Sequence, residues 1–78
     1  MANIIIPKAY QDRITPYQKS VLDQAIAAYG FLVRGFLTTP SRLARNIRRH
    51  YDCKDNPQNA EVVRVLDEIQ NILDQDLG

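Results

Sequence analysis

Apolar positions fall into three stretches at three- and four-residue steps, the spacing that places side chains on one face of an α-helix. The first is Leu22, Ala25, Ile26, Tyr29, Leu32, Val33 and Phe36, and the second is Leu43, Ala44, Ile47 and Tyr51. The third is Val62, Val65, Leu66, Ile69, Ile72 and Leu73, with Val63 at its margin. Ahead of each stands a capping residue followed by proline: Thr15-Pro16, Thr39-Pro40 and Asn56-Pro57. A Thr or Asn oxygen can accept a hydrogen bond from an orphan N–H of the first turn, and proline loses nothing where the N–H has no helical partner. Gln18, three residues after Thr15, completes the pattern of a capping box.

These signals predict helices over about 16–34, 40–51 and 57–75. Gly35 is the natural stop of the first, because glycine takes the left-handed conformation just past a helix end and Phe36 can fold back onto the last turn. The alternative stop is Gly30, since glycine inside a helix costs about 1 kcal/mol relative to alanine. The apolar stripe of the third helix is about 140° wide, enough to meet two neighbouring helices or a second chain.

Residues 1–14 lack helical spacing. Ile4 to Ile6 is β-prone, Pro7 ends it, and so short a strand has no evident partner elsewhere in the sequence. The segment reads as an extended arm laid across the helices; the alternative is an edge that pairs with a strand of another protein. The expected fold is all-α, a small three-helix bundle with an extended N-terminal arm, in a single domain spanning 1–78.

Length narrows the function. Seventy-eight residues leave no room for a second core, and Cys53 is the only cysteine, so no intrachain disulfide can brace the fold. Domains of this size lean on regular helix packing, self-association or a larger partner, and a deep catalytic pocket is not expected. No apolar run approaches the roughly 20 residues of a membrane span, so the expectation is a cytoplasmic protein without membrane contact.

Net charge is +1, but the charges are segregated. Arg34, Arg42, Arg45, Arg48, Arg49 and Lys54 against Asp52 make a block of +5, while Asp55, Glu61, Asp67, Glu68, Asp74 and Asp76 against Arg64 make a block of −5. At 100° per residue, Arg42, Arg45, Arg48 and Arg49 share an arc of about 120° on the second helix, apart from its apolar arc. Guanidinium groups offer forked donors and stay charged at physiological pH, so the stripe suits phosphates or an acidic protein surface. The plainer reading is a solvated face, or one neutralised by the acidic third helix within the chain or across a dimer.

A helix-turn-helix would make the second helix the reading element, with Thr38, Thr39, Ser41, Arg42 and Arg45 near its start. Against it, the connection from Arg34 to Pro40 exceeds the preferred turn, and Ser41 stands where an apolar residue belongs. Catalytic readings lack residues. His50 and Cys53 are the only ones of their types, could meet only if the helix continued past His50, and have neither an orienting group nor a glycine-rich loop beside them. With Asp52 and Asp55 they match no zinc spacing, so neither metal nor cofactor is expected. Tyr29, Phe31, Phe36 and Tyr51 read as packing residues, whereas Tyr10, Tyr17 and Ile5 are candidate additional interface positions.

No family pattern is reproduced by these motifs. The expected function is non-catalytic: a small regulatory or inhibitory protein that docks on a larger protein through Arg42, Arg45, Arg48 and Arg49, with a homodimer as one arrangement. Compact inhibitors encoded by phages and mobile elements, including those that block host defence, share this size and style. The alternatives are a nucleic-acid-binding regulator using the same arginines and a structural homo-oligomer subunit.

Overall fold

The computed structural model describes residues 3–4, 6, 8–33 and 37–75. Three helices carry the fold: α1 (Pro16–Tyr29), α2 (Pro40–His50) and α3 (Pro57–Gln75). Each begins at the proline that follows its capping residue. Thr15 Oγ1 accepts from Gln18 N at 3.1 Å while Gln18 Oε1 accepts from Thr15 N at 3.0 Å, a complete capping box. Thr39 Oγ1 accepts from Arg42 N at 3.2 Å, and Asn56 Oδ1 from Gln58 N and Asn59 N at 3.1 and 3.2 Å.

The helices enclose one core. Leu43, Ala44 and Ile47 of α2 are fully buried against Val65, Leu66 and Ile69 of α3, and Val21, Leu22 and Ala25 of α1 close the other side. The broad stripe of α3 thus serves both neighbours, with α2 its more extensive contact. Val63, placed at the margin of that stripe by spacing, is buried as well. This is an all-α three-helix bundle, and no helix among the described residues is long and apolar enough to cross a membrane.

Two expectations are corrected. First, α1 ends at Tyr29, not near Arg34, and the chain tightens into a 3-10 turn over Gly30–Leu32 before Val33 turns extended. Gly30 is the C-cap residue, with right-handed φ −58° and ψ −25°, so its weak helix propensity rather than a left-handed turn marks the stop. The competing pull is tertiary: the Tyr29 hydroxyl donates to Asn59 Oδ1 of α3, and its ring packs edge-on against Tyr51 at 5.1 Å. Gly35 and Phe36, the expected stop and its fold-back partner, lie outside the described residues.

Second, the N-terminal segment is neither wholly extended nor without a partner. Strand β1 (Asn3–Ile4) pairs in parallel with β2 (Leu37–Thr38), in the register Asn3 to Leu37 and Ile4 to Thr38. Lys8–Arg13 then forms a 3-10 helix, and Ile4, Ile6 and Ile14 pack partly buried against the core. Between the arm and α1 an open cleft of about 520 Å³ remains, floored by Ile4, Ile6, Ile14, Leu22 and Ile26.

The α2–α3 connection is built from local bonds. Asp52 Oδ1 accepts from Lys54 N and Asp55 N at 2.9 and 3.2 Å, an Asx turn that reverses the chain. Asn59, buried at the start of α3, reaches back with Nδ2 to the Asp52 carbonyl at 3.5 Å.

Candidate docking face

α2 presents opposite chemistry on opposite sides because its sequence alternates Leu43, Ala44 and Ile47 with arginines at helical spacing. Taking Arg42 as 0°, Arg49 falls at about 340° and Arg45 at about 300°, centred across the helix from Ile47 at about 140°. Arg48, at about 240°, borders the apolar arc on the side of Ala44. The structure separates the four accordingly. Arg48 reaches across to α3 and forms an ion pair with Asp67, while Arg42, Arg45 and Arg49 are exposed and enter no ion pair among the described residues. Arg48 and Asp67 are themselves 51% and 39% exposed, so their pair adds at most about 1 kcal/mol.

Glu61 and Glu68, two further acids that could have neutralised the stripe, are engaged on α3 itself. Arg64 bridges Glu61 and Glu68, three and four residues away on its own helix. Glu61 also accepts from the Tyr17 hydroxyl at 2.8 Å, and Gln18 Nε2 donates to Glu68 at 3.4 Å, tying the start of α1 to α3. The Arg64 hydrogen bond, followed by that from Tyr17, holds the Glu61 carboxyl below its ordinary pKa; the same Glu61 contact raises the Tyr17 phenol and Arg64 above theirs. Asp74 accepts from Gln70 Nε2 at 3.0 Å, and Gln70 Oε1 in turn accepts from Ser41 N at 3.4 Å. Ser41, an anomaly for helix-turn-helix packing, thus stitches the start of α2 to α3.

Two shallow depressions lie at Arg42 and Arg45. One is lined by Thr38, Thr39, Arg42 and Arg45, the other by Leu32, Val33, Arg42 and Asn46, and Arg42 is common to both. Asn46 is held by Nδ2 donating to the Arg42 carbonyl at 2.9 Å.

Of the remaining candidate positions, Tyr17 is 54% exposed but its hydroxyl is spent on Glu61, and Tyr10 is half-buried in the 3-10 helix. Ile5, like Arg34 and Asp76 of the charge blocks, lies outside the described residues. Phe31 departs from the packing role expected of it: the residue is 69% exposed. The signal was available, since Phe31 falls about 180° from Leu22 on a helical projection. Asn59 was also missed as a core position, although spacing places it about 20° from Leu66 within the α3 stripe.

The helix-turn-helix reading fits less well than spacing suggested. With α1 ending at Tyr29, the segment between the helices extends from Gly30 to Thr39 and contains a 3-10 turn and a strand, far beyond a three- or four-residue turn. α2 ends at His50, and Tyr51 is extended with φ −129° and ψ 148°, so His50 and Cys53 do not share a helical turn. No group of three or more His, Cys, Asp or Glu side chains able to hold a metal occurs among the described residues. No family model, curated protein or solved structure matches this chain.

Proposed function

We propose that this chain is a small non-catalytic docking protein, regulatory or inhibitory in action, that engages an acidic surface of a larger protein through Arg42, Arg45 and Arg49. One observation carries the reading: these guanidinium groups are exposed and unpaired among the described residues, while Asp67, Glu61 and Glu68 of α3 are paired with Arg48 and Arg64. Rim charges of this kind steer encounter and fix register, and their effect falls with salt. Arg48 belongs to the stripe by sequence, but its pairing with Asp67 makes it a brace of the bundle first.

The test is an Arg45→Glu/Arg49→Glu variant compared with wild type in affinity capture and in fluorescence anisotropy with labelled duplex DNA and RNA. The expected outcome is a protein retained by wild type and released by the variant, with an unchanged circular dichroism spectrum and melting temperature. Anisotropy that rises at low salt and collapses with salt and with the variant would make the face a phosphate binder and overturn the docking reading. A concentration-dependent oligomer in sedimentation, with no other ligand, would assign the chain a structural role instead.

A further inference from the structure

The recess at the start of α2 holds about 250 Å³ and is lined by Thr38, Thr39, Arg42 and Arg45, with no carboxylate among them. Arg42 and Arg45 stand three residues apart on one helix, so their side chains rise from neighbouring points and can reach a common anion. Both are exposed and enter no ion pair among the described residues. Thr38 comes from a different element, β2, and its hydroxyl oxygen is buried without a hydrogen-bond partner among the described residues. Such a group keeps the cost of leaving water, so it stands ready to bond an atom from outside the chain. One χ1 step between staggered wells turns a threonine hydroxyl toward a recess its residue already lines, without moving the backbone. The first-turn backbone donors, by contrast, are taken. Pro40 has no N–H, Ser41 N donates to Gln70 Oε1 at 3.4 Å, and Arg42 N donates to Thr39 Oγ1 at 3.2 Å. An anion here is therefore held by side chains.

We propose that this recess receives one phosphoryl group, a phosphate monoester, with Arg42 and Arg45 supplying forked N–H donors and Thr38 a hydroxyl donor. A carboxylate has two oxygens in one plane and is met by a single guanidinium fork. Two arginines and a hydroxyl from the strand beside their helix suit instead a tetrahedral group with three acceptor oxygens and a charge of about −1.5 to −2. The inference deepens the docking reading and rests on it in one respect, that the phosphoryl group is carried by a side chain of the partner protein. Arg49 shares the arc of Arg42 and Arg45 but is not among the residues that line the recess. Within the stripe it steers encounter, while the other two bind.

The experiment is a titration of the full chain with inorganic phosphate, read by backbone amide NMR shifts, against acetate and chloride at the same ionic strength, in wild type, Thr38→Val, Arg45→Gln and Arg49→Gln. The expected result is saturable phosphate shifts centred on residues 38–45 that neither acetate nor chloride reproduces. Arg45→Gln and Thr38→Val should each weaken phosphate binding roughly fivefold or more, whereas Arg49→Gln, which removes the same charge from the same arc, should stay within about twofold of wild type. Without phosphate, Thr38→Val should keep or raise the melting temperature, because an unmet buried hydroxyl is gone. A phosphoserine tripeptide that binds more tightly than inorganic phosphate would support a partner side chain as the carrier; no gain would assign the recess to a free phosphate ester and overturn that part. Equal losses in Arg45→Gln and Arg49→Gln, or wild-type affinity in Thr38→Val, would refute the recess. Acetate shifts equal to those of phosphate, or no saturable phosphate shifts, would refute it too. If the recess fails while Arg45→Glu/Arg49→Glu still releases a captured protein, the docking reading survives; if that variant releases nothing either, both fall.

Discussion

At the scale of single residues, Asn59 does the most varied work. Its side chain accepts from the Tyr29 hydroxyl at the end of α1 and donates to the Asp52 carbonyl in the connection before α3, while its own N–H is capped by Asn56. A buried amide with partners on both sides is far better than one with none, because an unmet polar group keeps the full cost of leaving water. Asn59→Ala should therefore lower stability by about 1–3 kcal/mol in urea denaturation. Pairing it with Tyr29→Phe should cost less than the sum of the two, because the stranded hydroxyl is removed with its acceptor. Gly30 predicts the opposite sign. Its backbone is right-handed and an added Cβ would sit 3.8 Å from Ile26 Cγ2, ordinary contact distance. Gly30→Ala should raise stability by about 0.4–1 kcal/mol, read as a higher melting temperature, mainly by restricting the unfolded chain.

Among the elements, the segment before α1 has a testable role inside the fold. β1 is hydrogen-bonded to β2, and Ile4 and Ile6 are partly buried against the core, so deleting residues 2–6 should cost about 1–3 kcal/mol in thermal unfolding while the proposed docking through α2 is retained. Unchanged stability with lost docking would show instead that β1 serves a partner. The helices themselves were legible because their signals are local: Thr15, Thr39 and Asn56 each cap residues two or three positions away, and the chain supplies both halves of the bond. The end of α1 was legible only as the alternative stop at Gly30, and the pairing of β1 was not legible. Tyr29 meets Asn59 and Asn3 meets Leu37 only after the bundle has formed, and a two-residue ladder has no periodicity to read.

For the whole molecule, the segregated charge of the sequence resolves into two different uses. Half of the six acids of the acidic block are paired among the described residues, Glu61 and Glu68 with Arg64, which the block total already includes, and Asp67 with Arg48, the ion pair that joins the two blocks. Sequence spacing could group four arginines; distinguishing Arg48 required knowing that α3 passes on the Ala44 side of α2. Its Cα radius of gyration of 11.9 Å matches the roughly 11.5 Å expected of a folded chain this long, so the arm is folded in with the bundle.

The eleven-residue α2 has Ile47 at zero exposure on one side and arginines free of ion pairs among the described residues on the other. On the proposed docking reading, recognition and folding are thereby thermodynamically uncoupled. Positions 42, 45 and 49 can be rewritten with little effect on the core, so a docking face of the proposed kind could be retargeted one surface side chain at a time.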